Sequence, residues 1–284
     1  MQTITTKSEL TRQINACIRQ GKTIGFVPTM GALHMGHAAL IQKACAENEI
    51  CVVSIFVNPT QFNNAEDLQK YPRTLEKDTT LLESLGVHFV FAPTAEEMYS
   101  AEEMQTRFSF DFNGLDTVME GKMRPGHFNG VVQVVSRLFE LVRPTRAYFG
   151  EKDYQQLAII RHMVERSALS SNFGNLKIVG CPIVRETNGL ALSSRNERLS
   201  ANEKQTAVTI SQTLISSLEW AKTESIEEVQ KRVIDTINAI DGLEVEYYEI
   251  ADKTTLQPTN SFDNAIGCIT VYCGPVRLID NIQY

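Results

Sequence analysis

The chain has no Cys-x-x-Cys pair. Its six cysteines, Cys17, Cys45, Cys51, Cys181, Cys268 and Cys273, are spread along 284 residues, which supplies neither a zinc-finger ligand set nor a dithiol redox motif. They are expected to be free core thiols in a reducing cytoplasm. No apolar run is long enough for a transmembrane helix. Residues Met1 to Leu10 are polar and include Lys7 and Glu9, where a cleaved leader would place an apolar stretch. Clustered Lys and Arg are missing too: 27 basic against 34 acidic residues give a net charge of -7. Phosphate backbones are held mainly by grouped cations, so neither nucleic acid nor a membrane is an expected partner. Any basic residue that matters acts singly on a small anion. With 43% apolar and 21% charged residues, the composition is that of a soluble globular protein of one large or two ordinary domains.

The order of elements from residue 23 onward is informative. A strand at Thr23 to Val27, a Pro/Gly loop, a helix from Gly36 to Glu47 and an apolar strand from Ile50 to Phe56 make a β-α-β unit. The second strand is almost continuously apolar, as expected when helices cover both faces of a parallel sheet. The alternation continues with a helix near Arg73 to Leu85, a strand His88 to Phe91, an amphipathic helix Val131 to Val142, a strand Ala147 to Phe149, a helix Tyr154 to Arg166 and a strand Lys177 to Val184. This predicts an α/β fold, a Rossmann-like doubly wound parallel sheet over residues 1–184, with ligands outside the carboxyl ends of the strands. From about Ser200 the pattern changes to two helices opened by the capping boxes Ser200 to Glu203 and Ser225 to Glu228. Three strands follow: Val245 to Ile250, Cys268 to Tyr272 and Val276 to Ile279, the last two joined by a turn at Cys273-Gly274-Pro275. Residues 185–284 therefore read as a smaller α+β domain.

The first loop, Pro28-Thr29-Met30-Gly31-Ala32-Leu33-His34-Met35-Gly36-His37, runs straight into a helix. Helix N-termini attract anions, glycine lets the backbone approach a phosphate, and imidazole N-H groups donate to oxygens that gain charge in phosphoryl chemistry. A nucleotide triphosphate suits this arrangement. Two other readings stay open on the residues alone: one imidazole capping the helix while the other decorates the surface, and a zinc site, which would need a third ligand.

His34-Met35-Gly36-His37 resembles the His-x-Gly-His signature of the nucleotidyltransferase superfamily that includes class I aminoacyl-tRNA synthetases. The longer blocks are more specific: Pro28 to His34, Phe56-Val57-Asn58-Pro59-Thr60-Gln61-Phe62, Tyr71-Pro72-Arg73-Thr74, Arg124-Pro125-Gly126-His127-Phe128, Phe149 to Gln156 and Leu190 to Asn196. In this order they resemble the pantothenate synthetase family, and Arg277-Leu278-Ile279-Asp280-Asn281 is the best-matched block of the last hundred residues.

That resemblance implies ATP-dependent joining of (R)-pantoate to β-alanine through pantoyl adenylate, with release of AMP and pyrophosphate, in a cytoplasmic homodimer, and the role of a lid for residues 185–284. It implies ATP contacts from Pro28, Met30, Gly31, Ala32, Leu33, His34, Met35, Gly36, His37, Gly150, Glu151, Lys152, Asp153, Val184, Leu192, Ser193, Ser194 and Arg195. His34, His37 and Lys152 would be catalytic and Gln61 and Gln156 would hold pantoate. Asp78 is the carboxylate matched to magnesium (Mg2+), while Tyr71, Glu120 and Arg124 either shape the pocket or serve ordinary loop packing. Three positions depart from the family pattern: Thr60 where Met is usual, Lys77 where an acidic residue often precedes Asp78, and a short insertion at Ser170 to Asn175. The alternatives are a nucleotidylyltransferase, which would keep the nucleotide on its product, and a nucleotide sensor without turnover.

Overall fold

The computed structural model describes all residues except 64, 106–107 and 167–174, and the side chains of 65, 67, 105 and 166 are likewise left aside. The expected insertion therefore falls, apart from Asn175, outside the described residues. The chain divides into two compact units. The first comprises 1–113, 124–150 and 156–181; the second comprises 114–123, 151–155 and 182–284.

The first unit is built on a six-stranded parallel sheet: β1 (Gln2–Ile4), β2 (Ile24–Thr29), β3 (Ile50–Ile55), β4 (Phe89–Phe91), β5 (Arg146–Gly150) and β6 (Lys177–Cys181), in the spatial order β1-β4-β3-β2-β5-β6. Its helices are α1 (Lys7–Arg19), α2 (Met35–Glu47), α3 (Ala65–Lys70), α4 (Leu75–Ser84), α5 (Ala95–Met98) and α6 (Ala101–Gln105). After α7 (Met119–Met123), which belongs to the second unit, come α8 (His127–Val142) and α9 (Tyr154–Arg166). Strand β3 is buried along nearly its whole length, as its apolar run requires. The sheet order reverses at β2, which pairs with β3 on one side and with β5 on the other. The carboxyl ends of β2 and β5 thus flank the position where open α/β sheets bind nucleotides.

Element boundaries differ from expectation for local reasons. Two elements precede the expected first strand: β1, which at three residues is too short to show a period, and α1, which is capped by Thr6 and buries Leu10, Ile14 and Cys17 at helical spacing. Helix α8 starts at His127 rather than Val131, since Gly126 at φ +85° forms its N-cap. Strand β6 ends at Cys181, before Pro182, which cannot donate to a ladder.

In the second unit, α10 (Ala201–Trp220) and α11 (Ile226–Asn238) both start with the expected capping boxes. Glu203 Oε2 accepts from the Ser200 amide at 2.7 Å, and Glu228 Oε2 from the Ser225 amide at 2.8 Å. The antiparallel sheet β7 (Leu243–Asp252), β8 (Ala265–Cys273) and β9 (Val276–Gln283) has β8 at its centre. Val208, Leu214, Val233, Ile237, Ile269 and Val271 fill the core between helices and sheet. Two segments expected in the first domain group with this unit instead: 114–123 and 151–155. The cause is polar. Arg277 on β9 makes a bidentate pair with Glu120 of α7, at 2.9 and 2.6 Å, and Asn281 bonds the backbone of Glu151 and Lys152.

Candidate active site

The loop between β2 and α2 is shaped by its two histidines. His34 is the N-cap of α2; its Nδ1 accepts from the Gly36 amide at 3.1 Å, while its own amide donates to Nδ1 of His37 at 3.3 Å. The rings lie 4.1 Å apart between centroids. An Nδ1 that accepts a hydrogen bond carries no proton, so in each neutral ring the proton sits on Nε2. Both imidazoles are thereby set as Nε2-H donors at a helix N-terminus whose dipole favours anions. The cap uses only the Nδ1 atoms, so it does not compete with a role for the Nε2 atoms in binding an anion.

Two residues of this loop have left-handed backbone, Gly31 at φ +81° and Ala32 at φ +51°. A side chain on Gly31 would press on Asp78 Oδ2 and on Ile55, each 3.0 Å from the position of a Cβ. Asp78, in the first turn of α4 and 1% exposed, holds the loop there. Its Oδ2 accepts from the Ala32 amide at 3.0 Å and from the Thr74 hydroxyl at 3.2 Å, and its Oδ1 from the Leu33 amide at 2.9 Å. Lys77 beside it is exposed. Among the described residues, no group of three or more His, Cys, Asp or Glu is placed to hold a metal ion. With both Asp78 oxygens committed to the loop, these donors do not fit a resident magnesium site.

Gln61 closes a short 3-10 turn, Pro59–Gln61, after β3. Its Oε1 accepts from Asn58 Nδ2 at 3.2 Å, and its Nε2 lies 3.2 Å from the Met30 sulfur, so the expected pantoate holder touches the expected ATP loop within one unit. Asn58 is buried and fully engaged: Nδ2 also donates to Gly130 O at 3.0 Å, and Oδ1 accepts from the Tyr99 hydroxyl at 3.0 Å. Burial pushes the Tyr99 phenol up to about 12, which keeps it a donor. His127 Nδ1 meets Gln61 O at 2.8 Å, and Arg124 Nη1 lies 3.2 Å from His127 Nε2. Gly130 of α8 has room for hydrogen only, because a Cβ would collide with the Thr60 carbonyl and the Gln61 backbone. Tyr71 packs edge-on against Phe62. Gln156 lies half-buried on α9 in the same unit. Asn58, Tyr99 and His127 had no assigned role in the sequence. Asn58 and His127 do lie inside the blocks that carried the resemblance, whereas Tyr99 gave no signal of its own.

Gly150 ends β5 in the first unit, whereas Glu151, Lys152 and Asp153 form a 3-10 turn in the second. Lys152 is largely covered and lies 3.8 Å from the exposed Asp153 carboxylate. Ser193 caps a second 3-10 turn, Ser194–Arg198, with its hydroxyl accepting from the Arg195 amide at 3.3 Å. The Leu192 amide donates to Val184 O at 3.0 Å and so closes the loop before it. Glu120 sits in an ion cluster with Arg277 and Glu246. Burial alone would lower the Arg277 pKa, but the hydrogen-bonded carboxylates of Glu120 and Glu246 outweigh it and raise it.

A sequence model of the pantoate-beta-alanine ligase family matches residues 2–283. A pantothenate synthetase of Phocaeicola vulgatus is 59% identical over 100% of this chain and 99% of its own length. One from Bacteroides fragilis is 56% identical with the same coverage. Among solved structures, a pantothenate synthetase of Thermus thermophilus superposes with a TM-score of 0.90 at 42% identity, covering 100% of this chain and 99% of that one. A pantoate-beta-alanine ligase of Francisella tularensis, complexed with beta-gamma ATP and beta-alanine, gives a TM-score of 0.80 at 36% identity over 100% and 97%. Likeness of this degree, running through both units and every block named above, shows that the chain belongs to the pantoate-β-alanine ligase family.

Proposed function

We propose the following division of roles in the family's reaction. The chain condenses (R)-pantoate with β-alanine to give pantothenate, using ATP, through a pantoyl adenylate, and releases AMP and pyrophosphate. The pantoate carboxylate is already ionised and needs only alignment with the α-phosphorus, so no protein nucleophile takes part. Gln61 and Gln156 hold pantoate, since an amide donates and accepts at once. The Asn58 contact supports this for Gln61, because it takes up the carbonyl side and leaves Nε2-H on the side of the Met30 loop. The Nε2-H groups of His34 and His37 take the charge that builds as pyrophosphate leaves, and Lys152 adds a compact cation to the phosphates.

Ser193, Ser194 and Arg195 cover the β- and γ-phosphates. Asp153 accepts from the ribose hydroxyls and Gly150 leaves room for the nucleoside. The remaining ATP contacts come from Pro28, Met30 to Leu33, Met35, Gly36, Glu151, Val184 and Leu192. In the second step the amine of β-alanine attacks the acyl carbon and AMP departs. Magnesium arrives with ATP on its phosphates, a reading supported by the commitment of Asp78 to the loop.

The single observation that carries these roles is the reciprocal His34 and His37 cap, which fixes two donors at one helix end. Pyrophosphate exchange into ATP tests them. Exchange should require pantoate and collapse in His37→Ala. Exchange indifferent to pantoate would overturn the substrate assignment, and a stable nucleotidyl product in place of free AMP would point to a nucleotidylyltransferase. A homodimer is proposed on family resemblance and tested by light scattering. A cytoplasmic location is supported by six free thiols and by the absence, among the described residues, of a helix long and apolar enough to cross a membrane.

A further inference from the structure

The Arg277-Leu278-Ile279-Asp280-Asn281 block has no part in the roles above, yet its three polar side chains are all engaged in hydrogen bonds. Asn281 is 4% exposed on β9. Its Nδ2 donates one hydrogen to Glu151 O at 2.8 Å and the other to Lys152 O at 3.0 Å. A group with two N-H bonds on one planar nitrogen is required for this; a carboxylate or an isosteric apolar side chain would lose both bonds. Asn281 is itself fixed from behind. Its amide donates to Asp280 Oδ1 at 2.8 Å, and Asp280 makes a bidentate pair with Arg185 at 2.6 and 2.9 Å.

The consequence concerns Lys152. Its residue lies in a three-residue 3-10 turn between the end of β5 and the start of α9, where the hydrogen-bond geometry is poorer than in an α-helix. Two adjacent carbonyls held by one amide fix the two peptide planes that flank the Lys152 α-carbon, and hence the direction of the Cα-Cβ bond from which its four-carbon stem carries the ammonium. We infer that Asn281 is a positioning residue for the reaction: it aims the Lys152 ammonium by clamping the Glu151 and Lys152 carbonyls, with the Asp280 and Arg185 pair as its support. This rests on the proposed role of Lys152 at the phosphates. An error of about 1 Å in such a group costs roughly a hundredfold in rate.

A double-mutant cycle on the full-length enzyme tests the inference. Pantoate-dependent pyrophosphate exchange is measured for the parent, Asn281→Leu, Lys152→Ala and the double variant, with thermal melts as a check on folding. Asn281→Leu should lower kcat by about ten- to a hundredfold and change the pantoate KM by much less. In the Lys152→Ala background the same change should cost under about twofold, because the group it aims is gone. If Asn281→Leu does not fold, Asn281→Ser, which is smaller and keeps one donor, runs the same cycle with a smaller loss. Equal losses in both backgrounds would reduce Asn281 to a general structural role and overturn the inference, as would a folded Asn281→Leu at parental rate. If Lys152→Ala alone exchanged at the parental rate, the Lys152 assignment would fail and take the inference with it, an outcome separate from failed coupling.

Discussion

Replacing Asp78 by Asn separates a loop anchor from a metal ligand, because the two roles make opposite demands on the same carboxylate. The oxygens accept from the Ala32 amide at 3.0 Å, the Leu33 amide at 2.9 Å and the Thr74 hydroxyl at 3.2 Å. Asparagine has one oxygen, so its nitrogen must face a donor. At either position the nitrogen forfeits one backbone bond, to Leu33 at Oδ1 or to Ala32 at Oδ2, because the Thr74 hydroxyl can rotate to accept as well as donate. Losing one charge-assisted bond costs about 1.5–3 kcal/mol, and the surviving two weaken to neutral strength, adding roughly 1 kcal/mol. Asp78→Asn should therefore lose about 2–4 kcal/mol in urea unfolding, a large part of the ~5–15 kcal/mol typical of a domain. Asp78→Ala should lose more, since two buried amides are left without acceptors.

The functional loss should follow from the backbone. Ala32 is held at φ +51°, which for a residue with a Cβ is strained by roughly 1–2 kcal/mol. Without its anchor the loop relaxes, and the His34 cap two residues on goes with it. The ATP KM should rise in Asp78→Asn, and added magnesium should not restore it. The assay is a pair of measurements, urea unfolding and ATP-dependent AMP release, each across a magnesium titration. A variant of parental stability whose activity returned at high magnesium would refute the anchor and make Asp78 a metal ligand.

The other predictions are more local. His37→Ala and Lys152→Ala should each slow adenylate formation by at least about a hundredfold if they stabilise charge in the transition state, read by single-turnover quench; near-normal rates in both would remove that assignment. Gly130→Ala forces α8 away from the Pro59–Gln61 turn and should raise the pantoate KM more than the ATP KM, with a loss of about 1–3 kcal/mol as for other overpacked sites. Tyr99→Phe deletes the hydroxyl bonded to Asn58 and should cost about 1 kcal/mol of stability, measured by urea unfolding, with a modest rise in the pantoate KM. Glu103 is held down at about 2, chiefly by its hydrogen bonds with the Arg137 guanidinium. A depressed carboxylate stabilises the fold above its unfolded pKa and loses that contribution as pH falls through the folded one. Parent and Glu103→Gln should therefore differ most near neutrality and converge between about pH 4.5 and 2; a difference that persisted at the acid end would contradict this.

The parallel sheet was legible because β3 and β2 are apolar enough to exclude any other placement, and the C-terminal helices because Ser200 and Ser225 each stand three residues before a glutamate. The division of the chain between its units was not. Segments 114–123 and 151–155 join the second unit through Arg277 to Glu120 and Asn281 to the Glu151 and Lys152 carbonyls, contacts spanning more than a hundred residues that no local period records. The site shows the same contrast. The His-x-Gly-His spacing announces a helix N-terminus, but which nitrogen of each ring carries the proton follows only from the cap geometry. The orientation of Gln61 likewise depends on Asn58, whose own carbonyl is satisfied by Tyr99 from 41 residues away. Chemistry-bearing side chains are readable from sequence because reaction type restricts residue type. The groups that aim them are not, because any polar side chain reaching from a distant strand can do that work, and Asn281 is such a group.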